Sequence, residues 1–200
     1  EKALEVFQIR VHGLVALDVG ASKGGFTSCL LQNGAKKVYA VDVGKNQLAW
    51  ELRQDPRVVV LEETNIRALL REHLAEPIDL ATIDVSFISL RKVFPAVRKL
   101  LTADGQIIAL IKPQFETEGR GLNKRGVIND RRIHLEYLPS LIDQLQNETL
   151  GLLDFDYSPI TGASGNLEYL AYFAKGRKPQ KAVALVTEAV EMGWRYHQRV

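Results

Sequence analysis

Short runs rich in β-branched residues alternate along this chain with stretches whose apolar positions recur at helical spacing. Strands are predicted at 14–19, 37–43, 57–61, 78–84 and 106–111. Helices are predicted at 24–32, through Leu48, Trp50 and Leu52, at 66–73 and at 91–101. Asn33-Gly34 offers a left-handed stop to the first of these, and Asp104-Gly105 turns the chain into the strand at 106–111. The chain begins at Glu1 inside an expected helix, so it is expected to be a piece of a longer one. Regular alternation of this kind predicts parallel strands whose crossover helices cover both faces. The unbroken apolar run Ile107-Ile108-Ala109-Leu110-Ile111 fits a strand buried on both sides.

After Ile111 the rhythm breaks. Residues 112–129 hold three glycines, Pro113 and mixed charges without periodicity, and a loop so long inside a compact domain is expected to be functional or mobile. A helix is predicted at 131–146, capped by Asn129 or Asp130 and kinked or divided at Pro139. Strands at 152–157 and 168–174 close the sheet, with a turn-rich loop at 158–166 between them. The pattern divides into one α/β domain over 1–176, then a C-terminal linker and helix over 177–200. The linker, 175–181, is basic, and the helix is expected to end near Trp194.

Composition narrows the classes without choosing among them. A chain of 200 residues that is 46% hydrophobic can build one sizeable core. A net charge of +2 permits an RNA partner but does not argue for one. Cys29 is the only cysteine, which excludes an intramolecular disulfide and a cysteine-rich metal site and suits a reducing cytoplasm; no metal is expected. No apolar run reaches the ~18 residues that span a bilayer. No stable membrane insertion is therefore expected, and a cytoplasmic location is.

The first strand runs into a glycine-rich turn. Gly20, Ala21, Ser22, Gly24, Gly25, Phe26 and Thr27 are candidate cofactor-binding residues, because glycines there let the backbone approach a ligand at the opening of a helix. The spacing is neither G-x-G-x-x-G nor a phosphate-binding P-loop. Asp18 stands just before the first glycine, where its charge would attract the cationic end of S-adenosylmethionine and repel a pyrophosphate. Asp42, followed by Val43, closes the second strand, where an acid commonly takes ribose hydroxyls; the alternative is a cap on the following helix. Asn65 and Ile66 follow the third strand, where they would meet an adenine; Asn65 could equally be a plain helix cap.

Four strings carry a family resemblance: the turn with its strand, Leu17 to Thr27; Val41-Asp42-Val43-Gly44; Thr82-Ile83-Asp84-Val85-Ser86-Phe87-Ile88-Ser89-Leu90; and Leu110-Ile111-Lys112-Pro113-Gln114-Phe115-Glu116. They closely resemble the TlyA family of ribosomal RNA 2′-O-methyltransferases, often labelled hemolysins, whose catalytic half is similar to the FtsJ methyltransferases. The resemblance implies a Rossmann-like class I methyltransferase fold: a seven-stranded, mostly parallel sheet with the last strand antiparallel. It implies S-adenosylmethionine as cofactor, and ribosomal RNA or ribosomal subunits as partner. It also implies a K-D-K-E catalytic set, in which Asp84, Lys112 and Glu168 match the last three members. The first lysine aligns ahead of Glu1, and Lys2 does not match it. The family's N-terminal S4 RNA-binding domain is not in this sequence.

The residues fit that chemistry independently. Asp84 and Lys112 end the fourth and fifth strands and Glu168 opens the last; an antiparallel last strand would bring all three to one edge. A ribose 2′-hydroxyl is a poor nucleophile while protonated and needs a base or a group that stabilises the developing oxyanion. Lys112 could do either, as a neutral amine or as an ammonium. Arg91, Lys92, Arg120, Lys124 and Arg125 are candidate phosphate contacts. Rival readings are a methyltransferase with another substrate, a membrane-lytic hemolysin, and a catalytically silent RNA-binding module.

Overall fold

The computed structural model describes residues 1–198. Seven strands, β1 (Val15–Val19), β2 (Lys37–Val41), β3 (Val58–Leu61), β4 (Ile78–Ile83), β5 (Leu101–Ile111), β6 (Leu150–Tyr157) and β7 (Tyr169–Lys175), form one sheet in the order β3-β2-β1-β4-β5-β7-β6. Pairings from β3 across to β5 are parallel, and β7 is antiparallel to both of its neighbours, β5 and β6. The expected seven-stranded sheet and antiparallel last strand are both present. The helices are α1 (Lys2–Val6), α2 (Gly25–Gln32), α3 (Trp50–Gln54), α4 (Leu90–Leu100), α5 (Arg131–Leu145) and α6 (Val183–His197).

Alternation along β1 decides which layer each residue meets. Val15, Leu17 and Val19 enter the larger core with Val93, Val97, Leu138, Ile142, Val186 and Val190 of α4, α5 and α6. Ala16 joins the opposite core, with Ala3 of α1 and Leu30 and Leu31 of α2. Asp18 shares Ala16's parity and is fully buried. Its carboxylate accepts from the Thr27 hydroxyl of α2 at 2.7 Å and from the hydroxyl of Thr82, its register partner on β4, at 3.0 Å.

Several elements differ from expectation. The predicted helix at 66–73 is two short 3-10 turns, Ile66–Ala68 and Arg71–His73, with Leu69 and Leu70 extended between them. Ile66, Leu69 and Leu74 are buried while Leu70 is half exposed, so no continuous helical stripe exists to bury. The helix expected through Leu48 starts only at Trp50, because the Glu62 carboxylate captures the N–H groups of Asn46, Gln47 and Leu48. Strand β5 reaches back to Leu101, and its pairing with β4 jumps from Leu101 to Gln106 across the predicted Asp104-Gly105 turn. Pro139 neither divides nor ends α5, which continues to Leu145. Helix α6 runs past Trp194 and buries Val186, Ala189 and Val190 in the main core.

Burial pushes the Asp18 carboxyl up to about 6, against hydrogen bonds from Thr27 and Thr82 that favour its charged form. Because the folded value is raised, the stability contributed by the protonated acid is complete below the ordinary value, near 3.9, and is lost as pH rises through 6. Between pH 4 and pH 7 the wild type should therefore lose about 2 kcal/mol relative to Asp18→Asn. Denaturant titrations of both proteins across that range check this; parallel stability curves would contradict it.

Candidate active site

Two strands that are neighbours in space but not in sequence open the site. After β1 the chain leaves for β2 on one side, and β4 arrives on the other, so the C-terminal ends of β1 and β4 flank a crevice at a topological switch point. Gly20 turns there at φ +82°, and a Cβ on it would lie 2.0 Å from the Asp84 carbonyl oxygen. The Asp84 N–H in turn bonds to the Val19 carbonyl at 2.9 Å, so the turn and the end of β4 are locked together.

A cavity of about 440 Å³ lies over this crevice. Gly20, Ser22, Asp42, Val43, Asn65, Ile66 and Asp84 of the predicted residues line it, together with Arg67, Val85, Ser86, Phe87 and Ile88, which sequence reasoning gave no role. Asp42 is tied to the turn: its Oδ2 accepts from Ser22 N–H at 2.8 Å and its Oδ1 from Gly44 N–H at 2.7 Å. Asn65 does cap, accepting from Arg67 N–H at 3.1 Å, and it also lines the cavity.

The other predicted turn residues are not on the cavity wall. Asp18 lies behind the turn with its charge spent on two threonine hydroxyls, Thr27 being one of them. Ala21 packs with Ala40 and Leu48. Gly24, at φ +94°, is the N-cap of α2 and fits beneath Leu48 and Leu52. A Cβ on Gly25 would meet nothing within 4 Å. Phe26 borders a second cavity of about 280 Å³ on the α1 and α2 side of the sheet, with Thr82 and Glu168.

Register explains the charged cluster. Ile111 of β5 pairs with Tyr169 of the antiparallel β7, so Lys112, one residue on, sits beside Glu168, one residue back. The Lys112 ammonium lies 2.6 Å from Asp84 Oδ1 and donates to Ser86 Oγ at 3.1 Å. The contact with Oδ1 is a charge contact off the hydrogen-bond axis, which leaves that oxygen a buried acceptor without a donor among the described residues. Glu168 is 7% exposed. Burial raises its carboxyl above the ordinary range, the Lys112 charge pulls it down, and Asp84 pushes it up again. All three predicted catalytic residues are thus together, while Lys2 lies 4.0 Å from Asp156 and borders the 280 Å³ cavity that Glu168 also lines.

Two further residues shape the rim. Phe87 is 91% exposed, at φ +61°, with its ring 5.0 Å from that of Phe115. Buried Glu116 accepts from Ser89 Oγ at 2.6 Å and Leu90 N–H at 2.9 Å, joining the segment after Lys112 to the segment after Asp84. Both lie in the strings that carried the family resemblance, yet nothing in their spacing assigned them a task. Of the predicted basic contacts, Arg91 is bound to Gln144 and Glu116, and Arg120 donates to the Tyr137 hydroxyl. Lys92 lines a groove with Phe87 and Phe115. Lys124 and Arg125 are exposed and make no ion pair among the described residues.

A seven-stranded sheet of this order, with a glycine turn and acids at the ends of β2 and β4, defines a class I methyltransferase. Residues 1–175 match the model of the FtsJ-like methyltransferases, and the chain belongs to that family. It is 44% identical over 170 residues to the 16S/23S rRNA (cytidine-2′-O)-methyltransferase TlyA of Mycobacterium tuberculosis, covering 85% of this chain and 63% of that one. It is 44% identical over 174 residues to hemolysin A of Brachyspira hyodysenteriae, covering 86% and 72%. A solved structure from Streptococcus thermophilus that carries the hemolysin label superposes with a TM-score of 0.91 at 41% identity, covering 99% of this chain and 72% of that one. The chain thus spans 63% to 72% of the length of these relatives. The methyl donor of this class is S-adenosylmethionine. The residues present fit it: a cavity closed against a side chain at Gly20, an acid at the end of β2 and apolar walls beyond β3.

The two glycines separate by experiment. Gly20→Ala should lower the melting temperature and weaken S-adenosylmethionine binding at least roughly tenfold, because its Cβ has no room and its φ is left-handed. Gly25→Ala should leave both nearly unchanged. Calorimetric titration with the donor measures the difference; equal affinities in the two variants would refute it.

Proposed function

We propose that this protein transfers a methyl group from S-adenosylmethionine to a ribose 2′-hydroxyl of ribosomal RNA. The observation that carries the reading is the Lys112 ammonium, held against Asp84 and Ser86 on the cavity wall and beside buried Glu168. S-adenosylmethionine supplies an electrophilic methyl on a sulfonium that leaves as a neutral thioether.

The protein's own residues handle the oxygen. A lysine ammonium has three N–H donors. Ser86 takes one, the pull of Asp84 fixes the head group, and a donor remains for the 2′-oxygen as it gains negative character. The ammonium stabilises the developing oxyanion, and as the O–C bond forms and the C–S bond breaks the hydroxyl proton passes to water. Asp84 lines the cavity and touches Lys112, so one side chain links the donor site to the acceptor site. Phe87, exposed at the same rim, offers a face on which a nucleobase can stack. Lys92, Lys124 and Arg125 supply phosphate contacts, and the substrate of the TlyA relative supports ribosomal RNA as the acceptor. Among the described residues, no helix is long and apolar enough to cross a membrane.

Lys112→Ala should lower kcat for methyl transfer by roughly 10²- to 10⁴-fold while S-adenosylmethionine affinity stays within a few-fold. Tritium transfer to ribosomal RNA together with calorimetry checks both; near-normal turnover sinks the assignment. Phe87→Ala should instead raise KM for RNA roughly fivefold to a hundredfold, the worth of one stacked base. An unchanged KM would remove Phe87 from the substrate site.

A further inference from the structure

The segment after Lys112 is a built turn fastened to the stretch just ahead of β7 that carries Glu168. Leu122 and Ile128 bridge in antiparallel fashion. Asn123 closes the tip: its N–H donates to the Val127 carbonyl at 3.0 Å, and its side-chain oxygen accepts from Arg125 and Val127 N–H at 2.8 and 3.1 Å. Lys124 and Arg125 ride on this tip, exposed, whereas Val127 and Ile128 are buried beneath it. The hairpin's charges therefore stand on a fixed base.

One side chain provides the fastening. Asn166, 3% exposed and two residues before Glu168, accepts from Ile128 N–H at 3.0 Å and donates to the Gly126 carbonyl at 2.9 Å. An asparagine presents its carbonyl and amide side by side, so it can complete a backbone segment as a strand neighbour would. Its own carbonyl accepts from Gly162 N–H at 2.9 Å, which fixes the loop in front of β7. A second tie lies close by: Tyr169, the residue after Glu168, meets buried His134 of α5 through a 2.7 Å contact between its hydroxyl and Nδ1. The stretch from Asn166 to Tyr169 thus holds both the basic hairpin and the acid of the charged cluster.

We infer that Asn166 is a positioning residue, setting Lys124 and Arg125 at a fixed distance from Glu168 so that RNA phosphates are held while the ribose sits at Lys112. This rests on the reading of the substrate as RNA. Phosphate contacts fix register without reading sequence, and a mobile basic tip would keep its charge but lose the register. The clasp therefore acts on RNA binding and leaves the chemistry of the bound complex alone.

The test compares Asn166→Ala, the double variant Lys124→Ala/Arg125→Ala, and their combination, with ribosomal RNA from cells lacking this enzyme and tritiated S-adenosylmethionine. Asn166→Ala should raise KM for RNA roughly tenfold, for two missing hydrogen bonds, with kcat and KM for S-adenosylmethionine within roughly twofold. The slope of log KM against log salt should flatten in Asn166→Ala as in the charge variant, by about 0.7 for each single-strand phosphate no longer neutralised. In the combination, removing the charges should add little, because an unfastened tip no longer delivers them. Asn166→Asp keeps the acceptor for Ile128 and lacks the donor to Gly126, so an intermediate KM shift is expected and serves if the alanine variant does not fold. A kcat loss without a KM change, or full multiplication of the two effects, overturns the clasp while leaving the RNA reading intact. Unchanged KM and salt slope in the charge variant instead overturn the reading of the hairpin as an RNA contact, and the clasp with it.

Discussion

The contact between Gly20 and the end of β4 governs the working edge of this molecule. A parallel pair whose strands are not consecutive in sequence leaves a crevice at its carboxyl end, but only a turn without a side chain lets β1 pass this close to Asp84. The Asp84 N–H bonds to Val19, so the strand that forms one wall of the donor cavity also fixes the backbone of the acid that holds Lys112. On the proposed reading, donor binding and acceptor chemistry are adjacent because of a single backbone approach. Buried Asp18 supports it from behind, drawing Thr27 of α2 and Thr82 of β4 to the same point.

The second constraint is the reversal of β7. In an all-parallel sheet the residue that opens the last strand would lie at the far edge from Lys112. Antiparallel pairing of Ile111 with Tyr169 brings Glu168 to the ends of the other strands. The same reversal delivers Asn166 and the hairpin it holds to that edge. One topological choice therefore places the second acid and the basic tip together at the edge where Lys112 ends β5.

Much of this was legible in the chain, and the boundary of what was legible follows from physics. Strands with continuous apolar runs, such as Ile107–Ile111, declare themselves because burial on both faces leaves no polar positions. The ends of those strands are then known, so Asp84, Lys112 and Glu168 could be placed on one edge once the last strand was taken as antiparallel. Side-chain direction was harder. Asp18 has the sign expected of a cofactor ligand, but in a strand it must point to one face, and its parity with Ala16 sends it into the α2 layer. Parity was available in the sequence; which face the cavity occupies was not. Helix 66–73 failed for a related reason, since an apolar pattern gives a helix only where a continuous groove exists to receive it. Side chains that capture distant backbone groups, Glu62 on residues 46–48 and Asn166 on Gly126 and Ile128, leave no periodic trace at all.

Residues 112–129 show how that invisibility misleads. Lacking periodicity, they read as a loop that is functional or mobile, and the two words describe different physics. A mobile basic segment attracts phosphate through its charge alone, and each contact must overcome the entropy of ordering the chain that makes it. Here that ordering is already supplied by buried Val127 and Ile128, the Asn123 turn and the Asn166 pair. The exposed charges at Lys124 and Arg125 are therefore preorganised, and their separation from Glu168 is set by hydrogen bonds within the protein. Such a site gains more affinity from a few fixed phosphate contacts than from numerous mobile ones, because less of the protein has to be ordered on binding. On this view the modest net charge of +2 is no obstacle to an RNA substrate, since two charges held in register do what a diffuse basic surface could not.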